Sequence, residues 1–462
     1  MATLLWFQRD LRLTDNPALN HAIGQNQPVI AIYVHSADED QHWAAGAASR
    51  WWLHHSLEKL EHDLQKLGIT LQFFKADSVS LIPRLAKEYA VENIVWTNRH
   101  EPHRRDYEAI IEKKLFSDGK SVHRFTGELL THPDNFVTQT KQTPYKVFTP
   151  FYKKLRQQLN LAQSIHNPVP AAAAVYSLPF KNDSALTLQQ LGLLGSHPWH
   201  EKLHQHWIPG EKEALAKLKS FMAGTITGYV AGRDYPAIDA TSGLSPHLHF
   251  GEISPRQIVN ALAPLIDFHG GNHAIQAEAF LRQLIWREFA RYILWHFPQT
   301  TTEPMNAKFT SQFWKKDEVN LIRWQQGKTG IPIIDAGMKQ LWQTGAMHNR
   351  VRMLVASFLT KNLGVAWQQG ASWFWDPLVD ADLANNSMGW QWVAGCGVDA
   401  APYFRIFNPE TQAKRFDGKS IYINQWLPEH SQATCPAPFI DLARSRNDSL
   451  QRYKQYINTK VK

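Results

Sequence analysis

Cysteine is scarce: two in 462 residues, Cys396 and Cys435. Thiols so few and so far apart build neither a disulfide framework nor a zinc cluster, which excludes small secreted scaffolds and fits a reducing compartment. Long apolar runs are missing too. Nowhere do about 18 apolar residues follow one another, so no membrane span is expected. The opening, MATLLWFQRDLRLTDNPAL, has no basic stretch ahead of an apolar one. No signal peptide is therefore expected, and the chain is assigned to the cytoplasm. No internal repeat is present. Charge of one sign is only mildly in excess, at a formal +8. That balance permits an anionic partner such as nucleic acid without requiring one.

The length exceeds what one compact core holds, which predicts two or more domains. Apolar runs at Leu4–Phe7, Val29–Val34, Thr70–Phe74, Asn93–Thr97 and Ser121–Phe125 read as strands. Helical spacing lies between them at Ala47–Leu67, Val79–Tyr89 and Asp106–Leu115. This alternation predicts an α/β domain with a parallel, doubly wound sheet. No GxGxxG follows the first strand, so the usual dinucleotide fingerprint is missing. From His132 to His206 the pattern dissolves into prolines and an alanine run at Ala171–Ala174. That predicts a long connection across the surface, carrying one helical piece within Thr143–Leu155. Beyond Trp207 the strand signals stop, and apolar residues recur at helical spacing through Glu211–Leu218, Glu278–Phe297, Ile333–Trp342 and Arg350–Leu363. The expected division is an α/β domain at 1–131, a linker at 132–206, and an all-helical C-terminal domain at 207–462.

What the chain has in excess is tryptophan, 18 residues, eleven of them from Trp286 onward. Such an excess in one half suggests stacking or electron transfer beside packing. The densest stretch, Val379–Phe416, sets Asp380 and Asp382 one residue apart, adjoins Asn385 to Asn386, and flanks Gln391 with Trp390 and Trp392. Carboxylates and amides satisfy the donors of a buried polar cofactor, while indoles wall it from water. Each residue alone reads as packing; together they read as a site.

Several segments resemble one family in one order. They are LLWFQRDLRLTDNPAL at Leu4–Leu19, YKVFTPF at Tyr145–Phe151, RDYPAIDATSGLSPHLHFGEISPRQ at Arg233–Gln257, LIWREF at Leu284–Phe289 and GIPIIDAGMKQLWQTGAMHNRVRM at Gly330–Met353, followed by the stretch above. The chain resembles the photolyase/cryptochrome flavoproteins, and among them the bacterial class I DNA photolyases that repair cyclobutane pyrimidine dimers. The resemblance implies an α/β antenna domain, a helical domain binding FAD, and light-driven electron transfer from reduced FAD to a flipped-out dimer. UV-damaged DNA is the implied partner, and a monomer is expected.

Carried over residue by residue, the resemblance makes Thr241, Ser242, Gly243, Leu244 and Ser245 a flavin phosphate loop, where hydroxyls and N–H groups at a helix start suit a pyrophosphate. Tyr229 is a flavin-contacting tyrosine. Asp380, Ala381 and Asp382 face the isoalloxazine and ribityl groups, with Arg352 paired to Asp380. Asn386 faces flavin N5, where a neutral amide can donate or accept. Trp390, Trp367 and Trp314 form an electron relay toward the surface. Trp286 and Trp392 sandwich the flipped dimer. Asn349 and Met353 line the same pocket, and Arg233, Arg287, Arg350 and Arg405 are candidates for phosphate contacts at its rim. For any one of these arginines, a structural ion pair competes with that role.

Three departures sit near the substrate end. Gln283 stands where repair enzymes of the family usually have glutamate, and Ala346 where tryptophan is common. The chain is also short of family residues between Trp426 and Pro436. Gln283 is familiar from the branch that repairs (6-4) photoproducts, whereas MHNRVRM follows the dimer-repair pattern. Two other readings stay beside dimer repair: (6-4) photolyase, and a cryptochrome-type blue-light receptor, for which the chain lacks a long polar C-terminal extension. Asn98–Asp106 resembles the antenna region, with methenyltetrahydrofolate, a deazaflavin or an empty pocket all open for the second chromophore.

Overall fold

The computed structural model describes residues 2–36, 42–138, 142–159, 184–267, 270–400, 404–429 and 437–456. Cys435, Ala171–Ala174 and most of the shortened stretch before Pro436 lie outside them. Five strands form one sheet: β1 (Ala2–Phe7), β2 (Val29–His35), β3 (Leu71–Lys75), β4 (Val91–Thr97) and β5 (Ser121–Phe125). All pair in parallel, in the order β3-β2-β1-β4-β5. Side chains alternate between faces with period two. Leu5, Phe7, Ala31 and Tyr33 therefore pack on helices Pro17–Gly24 and Ala47–Lys66, while Leu4, Trp6, Ile30 and Ile32 join Leu81, Leu85, Ile111 and Leu115 of helices Ser78–Glu88 and Pro102–Ser117. The doubly wound sheet expected from the alternation is present, and each strand lies within two residues of its expected position. Helix Pro17–Gly24 is an addition; Asn16 caps it by accepting from the Leu19 amide at 3.0 Å, with proline at its first position.

Beyond residue 206 the described chain is helical. Helix Gly271–His296 runs through its middle, packing on Pro255–Asp267, on Leu383–Ala394 and on Phe148–Gln158. Two apolar cores form on either side of it: one around Phe151, Leu218, Phe221, Phe280 and Ile285, the other around Trp324, Leu354, Trp367, Phe374 and Trp390. The run Arg350–Leu363 is not one α-helix. It is α-helical over Asn349–Ser357 and becomes a π-turn at Phe358–Leu363, a local widening that recurs at functional sites.

The stretch at 132–206 departs from a simple surface crossing. Phe136, Phe148, Phe151 and Leu155 enter the helical core, while Leu188, Leu191, Leu193 and Leu203 enter the α/β core. A proline-rich composition had signalled connection; it carries no information about buried leucines spaced without a period.

The LLWFQRDLRLTDNPAL segment earns its density of polar residues at the junction of the two units. Buried Arg12 donates to the carbonyls of Asp15 (2.8 Å), Gly251 (2.8 Å) and Gly127 (3.3 Å), and Asp15 binds Arg256 at 3.0 Å. Glu211 accepts from the amides of Leu13 and Thr14 at 2.6 and 2.8 Å. Gly251 has φ +68°, and a Cβ there would sit 1.9 Å from the Arg9 carbonyl oxygen. Gly251→Ala should therefore destabilise the protein by about 3 kcal/mol or more, combining left-handed strain with overpacking. A lowered urea midpoint at unchanged slope is the expected reading; a midpoint equal to that of the parent protein would contradict the close approach.

Candidate functional site

Between the two helical cores lies a cavity of about 780 Å³, within the range of roughly 300–1,000 Å³ usual for cofactor pockets. It gathers residues from five separate segments. Ser242, Leu244 and Ser245 come from the loop opening helix Ser245–His249, and Gln283, Trp286, Arg287 and Arg291 from the central helix. Asn349, Arg352 and Met353 come from helix Asn349–Ser357. Asp380, Ala381 and Asp382 come from the segment leading into helix Leu383–Ala394, Asn386 from its first turn, Trp390 and Trp392 from its C-terminal half, and Arg405 from beyond it.

The expected Arg352–Asp380 pair is present: Arg352 Nη2 lies 3.0 and 3.1 Å from the two carboxylate oxygens, while its Nε donates to the Met347 carbonyl at 2.6 Å. Asp382 is differently used. It caps its helix by accepting from the Asn385 amide at 2.9 Å and binds Arg291 Nη2 at 2.8 Å. Burial alone would raise its pKa, but Arg291, His249 and His100 outweigh it and hold the carboxyl well below the usual range. Asn386 donates through Nδ2 to the Ala371 carbonyl at 3.1 Å, so its amide is anchored and its oxygen is the acceptor turned free.

Several expected residues stand elsewhere. Tyr229 is buried behind Phe280, ring centroids 5.3 Å apart, and Phe280 forms the wall in its place. Thr241 and Gly243 belong to the loop but not to the lining. Arg287 is no rim residue: it is buried, bound to Glu288 (3.0 Å) and to the carbonyls of Glu128 (2.9 Å) and Leu248 (3.3 Å). Burial pushes it down to about 10, still protonated at neutral pH. Arg350 is engaged by Asp234 at 2.9 Å and lies over the Phe416 ring, and Arg233 lies over the Tyr229 ring. Neither lines the cavity. Ala346 is not among the lining residues either.

Sequence reasoning missed Arg291 and His249, both on the wall and both nearly inaccessible. Arg291 Nε and Nη1 and His249 Nε2 are buried polar atoms that no protein group satisfies. Spacing could have flagged Arg291, four residues after Arg287 and so on the same helical face. A second, smaller cleft of about 100 Å³ opens where β1, β2 and β4 end, lined by Gln8, Arg9, Tyr33, Ser49, Arg99 and Phe250 among others. In parallel sheets that carboxyl edge is where ligands gather.

A model described as DNA photolyase matches residues 3–173, and one described as the FAD binding domain of DNA photolyase matches residues 280–437. An Agrobacterium fabrum protein named deoxyribodipyrimidine photo-lyase is 41% identical over 427 residues, covering 92% of this chain and 87% of its own. The chain belongs to the DNA photolyase family. Plant cryptochromes are relatives of this photolyase-family chain too: cryptochrome-1 of Arabidopsis thaliana is 33% identical, over 93% of this chain and 63% of its own. The structure of a bacterial class III photolyase from Agrobacterium tumefaciens matches with TM-score 0.91 and 37% identity, covering 99% and 98% of the two chains. An archaeal photolyase from Sulfolobus tokodaii, solved with two FAD molecules, matches with TM-score 0.80 and 28% identity over 98% and 100%.

FAD is the cofactor of this family, and the cavity fits it. The unpaired donors of Arg291 await acceptors, His249 Nε2 is a further buried polar atom without a protein partner, the Ser242 and Ser245 hydroxyls line the same space, and Asp380 offers acceptor oxygens. Burial, with Arg9 nearby, pushes His249 down to about 4, so it is neutral in the folded protein at pH 7. Its folded pKa lies below the unfolded value near 6.5, so the unfolded chain takes up the proton first as pH falls. Between pH 7 and 5 this one histidine should remove on the order of 2 kcal/mol of stability. His249→Gln should flatten that part of the pH–stability curve; an unchanged slope would show that His249 does not titrate as placed.

Proposed function

We propose that this photolyase-family protein repairs cyclobutane pyrimidine dimers in UV-damaged DNA, using light and reduced FAD. The observation that carries this reading is one cavity. It holds both the Arg352–Asp380 and serine-loop set suited to a flavin and the indoles of Trp286 and Trp392, with Gln283, Asn349 and Met353 beside them. Bound reduced FAD supplies, on absorbing light, the electron that opens the cyclobutane ring and takes it back afterwards.

The chain's own residues do the rest. Trp286 and Trp392 offer stacking surfaces to a flipped lesion, each worth about 1–3 kcal/mol per base. A damaged pair leaves the helix at lower cost than an intact one, which favours the lesion. Gln283 can donate its amide N–H to a pyrimidine carbonyl and accept from a ring N–H, with no proton to transfer. Of the four expected arginines Arg287 and Arg405 line the cavity; with Arg287 bound to Glu288, we assign the phosphate contact to Arg405. We assign 1–131 to the antenna role and 207–462 to flavin and lesion, acting as a monomer in the bacterial cytosol and on the nucleoid. The cleft at the strand ends is the place for a second chromophore.

A cryptochrome-type receptor is the second reading, favoured by the plant relatives. Illumination of the reduced protein with dimer-containing and with (6-4)-containing oligonucleotides separates the alternatives. Restored thymines from the dimer substrate alone are expected. Repair of the (6-4) substrate alone, or of neither, would overturn the assignment.

Trp390 lines the cavity, Trp367 is fully buried and Trp314 is half-buried, so the three indoles grade from pocket toward surface. Indole gives up an electron reversibly, and several short steps outrun one long one. Trp314→Phe should abolish photoreduction of oxidised FAD yet leave repair by pre-reduced protein nearly intact. Equal loss of both would remove Trp314 from the relay.

A further inference from the structure

The two indoles of the lesion slot are held by one residue that the functional assignment does not use. Trp286 faces the cavity with one side only. Its other side is covered by Phe148, whose ring lies parallel at 7° with centroids 3.5 Å apart, and the Arg282 guanidinium sits 4.8 Å from the Phe148 ring centre. Phe148 is buried and begins helix Phe148–Gln158, whose N-cap residue Val147 supplies no side-chain cap. The carboxylate of Asp399 lies near enough to the Phe148 amide and to Arg282 for both to pull its pKa down against burial. An anion at that helix start fills the place of the missing cap. The same Asp399 accepts the Trp392 indole N–H on its backbone carbonyl at 3.1 Å. It lies on the cavity wall and has φ +50°, a left-handed conformation that few residues besides glycine, asparagine and aspartate adopt.

We infer that Asp399 is a positioning residue that sets the spacing of the lesion slot, its carbonyl holding Trp392 and its carboxylate holding Phe148, against which Trp286 is braced. The inference rests on the reading that Trp286 and Trp392 clamp a flipped dimer. Physically, the two walls come from different cores: Trp286 packs with the core around Phe151 and Phe289, Trp392 with the core around Trp367 and Phe374. The helices that carry them pack on each other and share the Asp382–Arg291 bond; Asp399 adds a contact at the slot itself, where it lies against both walls. Its left-handed backbone turns the carbonyl toward Trp392 while the side chain reaches Phe148. Aspartate combines tolerance of that conformation with the acceptor the helix start needs, and burial raises its pKa against the opposing pull of that amide and Arg282.

Asp399→Ala removes the carboxylate and penalises the backbone; Asp399→Asn keeps the conformation and one acceptor oxygen; Phe148→Leu removes the brace. FAD content and absorption spectrum of each purified variant separate folded from misfolded protein, and Asp399→Asn is the variant of record should Asp399→Ala fail to fold. Affinity for a dimer-containing oligonucleotide should drop roughly tenfold in Asp399→Ala, a fraction of the stacking contribution. Affinity for undamaged DNA should stay constant, and Asp399→Asn should recover most of the loss. Phe148→Leu combined with Asp399→Ala should lose less than the sum of the two, since both act on Trp286. Equal losses on damaged and undamaged DNA, or strict additivity, would overturn the inference. A crystal structure of the Asp399 variant gives an arm independent of substrate. Trp286 and Trp392 unmoved would overturn it, and a changed spacing would support it. If the spacing changes while the parent protein shows no preference for dimers, the positioning role stands and the repair assignment falls.

Discussion

One buried carboxylate ties the molecule together. Asp382 Oδ1 accepts the Asn385 amide and so starts the helix that carries Asn386, Trp390 and Trp392. Its Oδ2 is held by Arg291 at 2.8 Å, from the helix that carries Gln283 and Trp286. On the same oxygen lie His249 Nδ1 at 3.5 Å, from the segment after the serine loop, and His100 Nε2 at 3.9 Å, from the α/β unit. Four pieces of chain distant in sequence thus converge on one charge. Such a charge is costly to bury and is tolerated only when its lone pairs are filled. Removing a partner leaves it uncompensated, so the arrangement is all-or-none and fixes relative positions more than it adds net stability.

The network also leaves something undone. Arg291 gives Asp382 one nitrogen and keeps Nε and Nη1, both buried, without a protein partner. Unsatisfied buried donors cost free energy comparable to a lost hydrogen bond each. A ligand presenting acceptor oxygens recovers that cost on binding, which couples cofactor affinity to the completeness of the junction.

How much of this was legible in the sequence follows from which features are local. The strands were legible because a short continuous apolar run is a property of neighbours, and β1 buries Leu4 with Trp6 on one side and Leu5 with Phe7 on the other. The Arg352–Asp380 pair was reached through resemblance, and the geometry agrees. Arg287 and Arg291 show the limit. They sit one turn apart on one helix and both line the cavity, and only packing decides that Glu288 and two carbonyls engage the first while two nitrogens of the second are left without a protein partner. Tyr229 is a similar case: it packs edge-on to Phe280, and it is Phe280 that lines the cavity. Helix Pro17–Gly24 is the opposite case, since Asn16 followed by proline is a local start signal that the density of charges around it obscured.

Tryptophan was informative in bulk and ambiguous one at a time, and a glycine explains why. A Cβ on Gly370 would lie 2.2 Å from Trp390 Cη2, so helix Trp367–Trp375 carries a notch into which the Trp390 ring fits. Trp367 lies three residues before that notch, on the same face of the same helix. Trp390 also packs edge-on to Phe374 at 5.0 Å, a wall residue of the cavity. The close approach that packs this core is therefore the same approach that brings one indole to the cavity and keeps the next adjacent behind it. Filling and the proposed electron relay make no competing demands here; a helix pair close enough to exclude water is also close enough to shorten each step of such a relay, and a side chain larger than hydrogen at position 370 would open both.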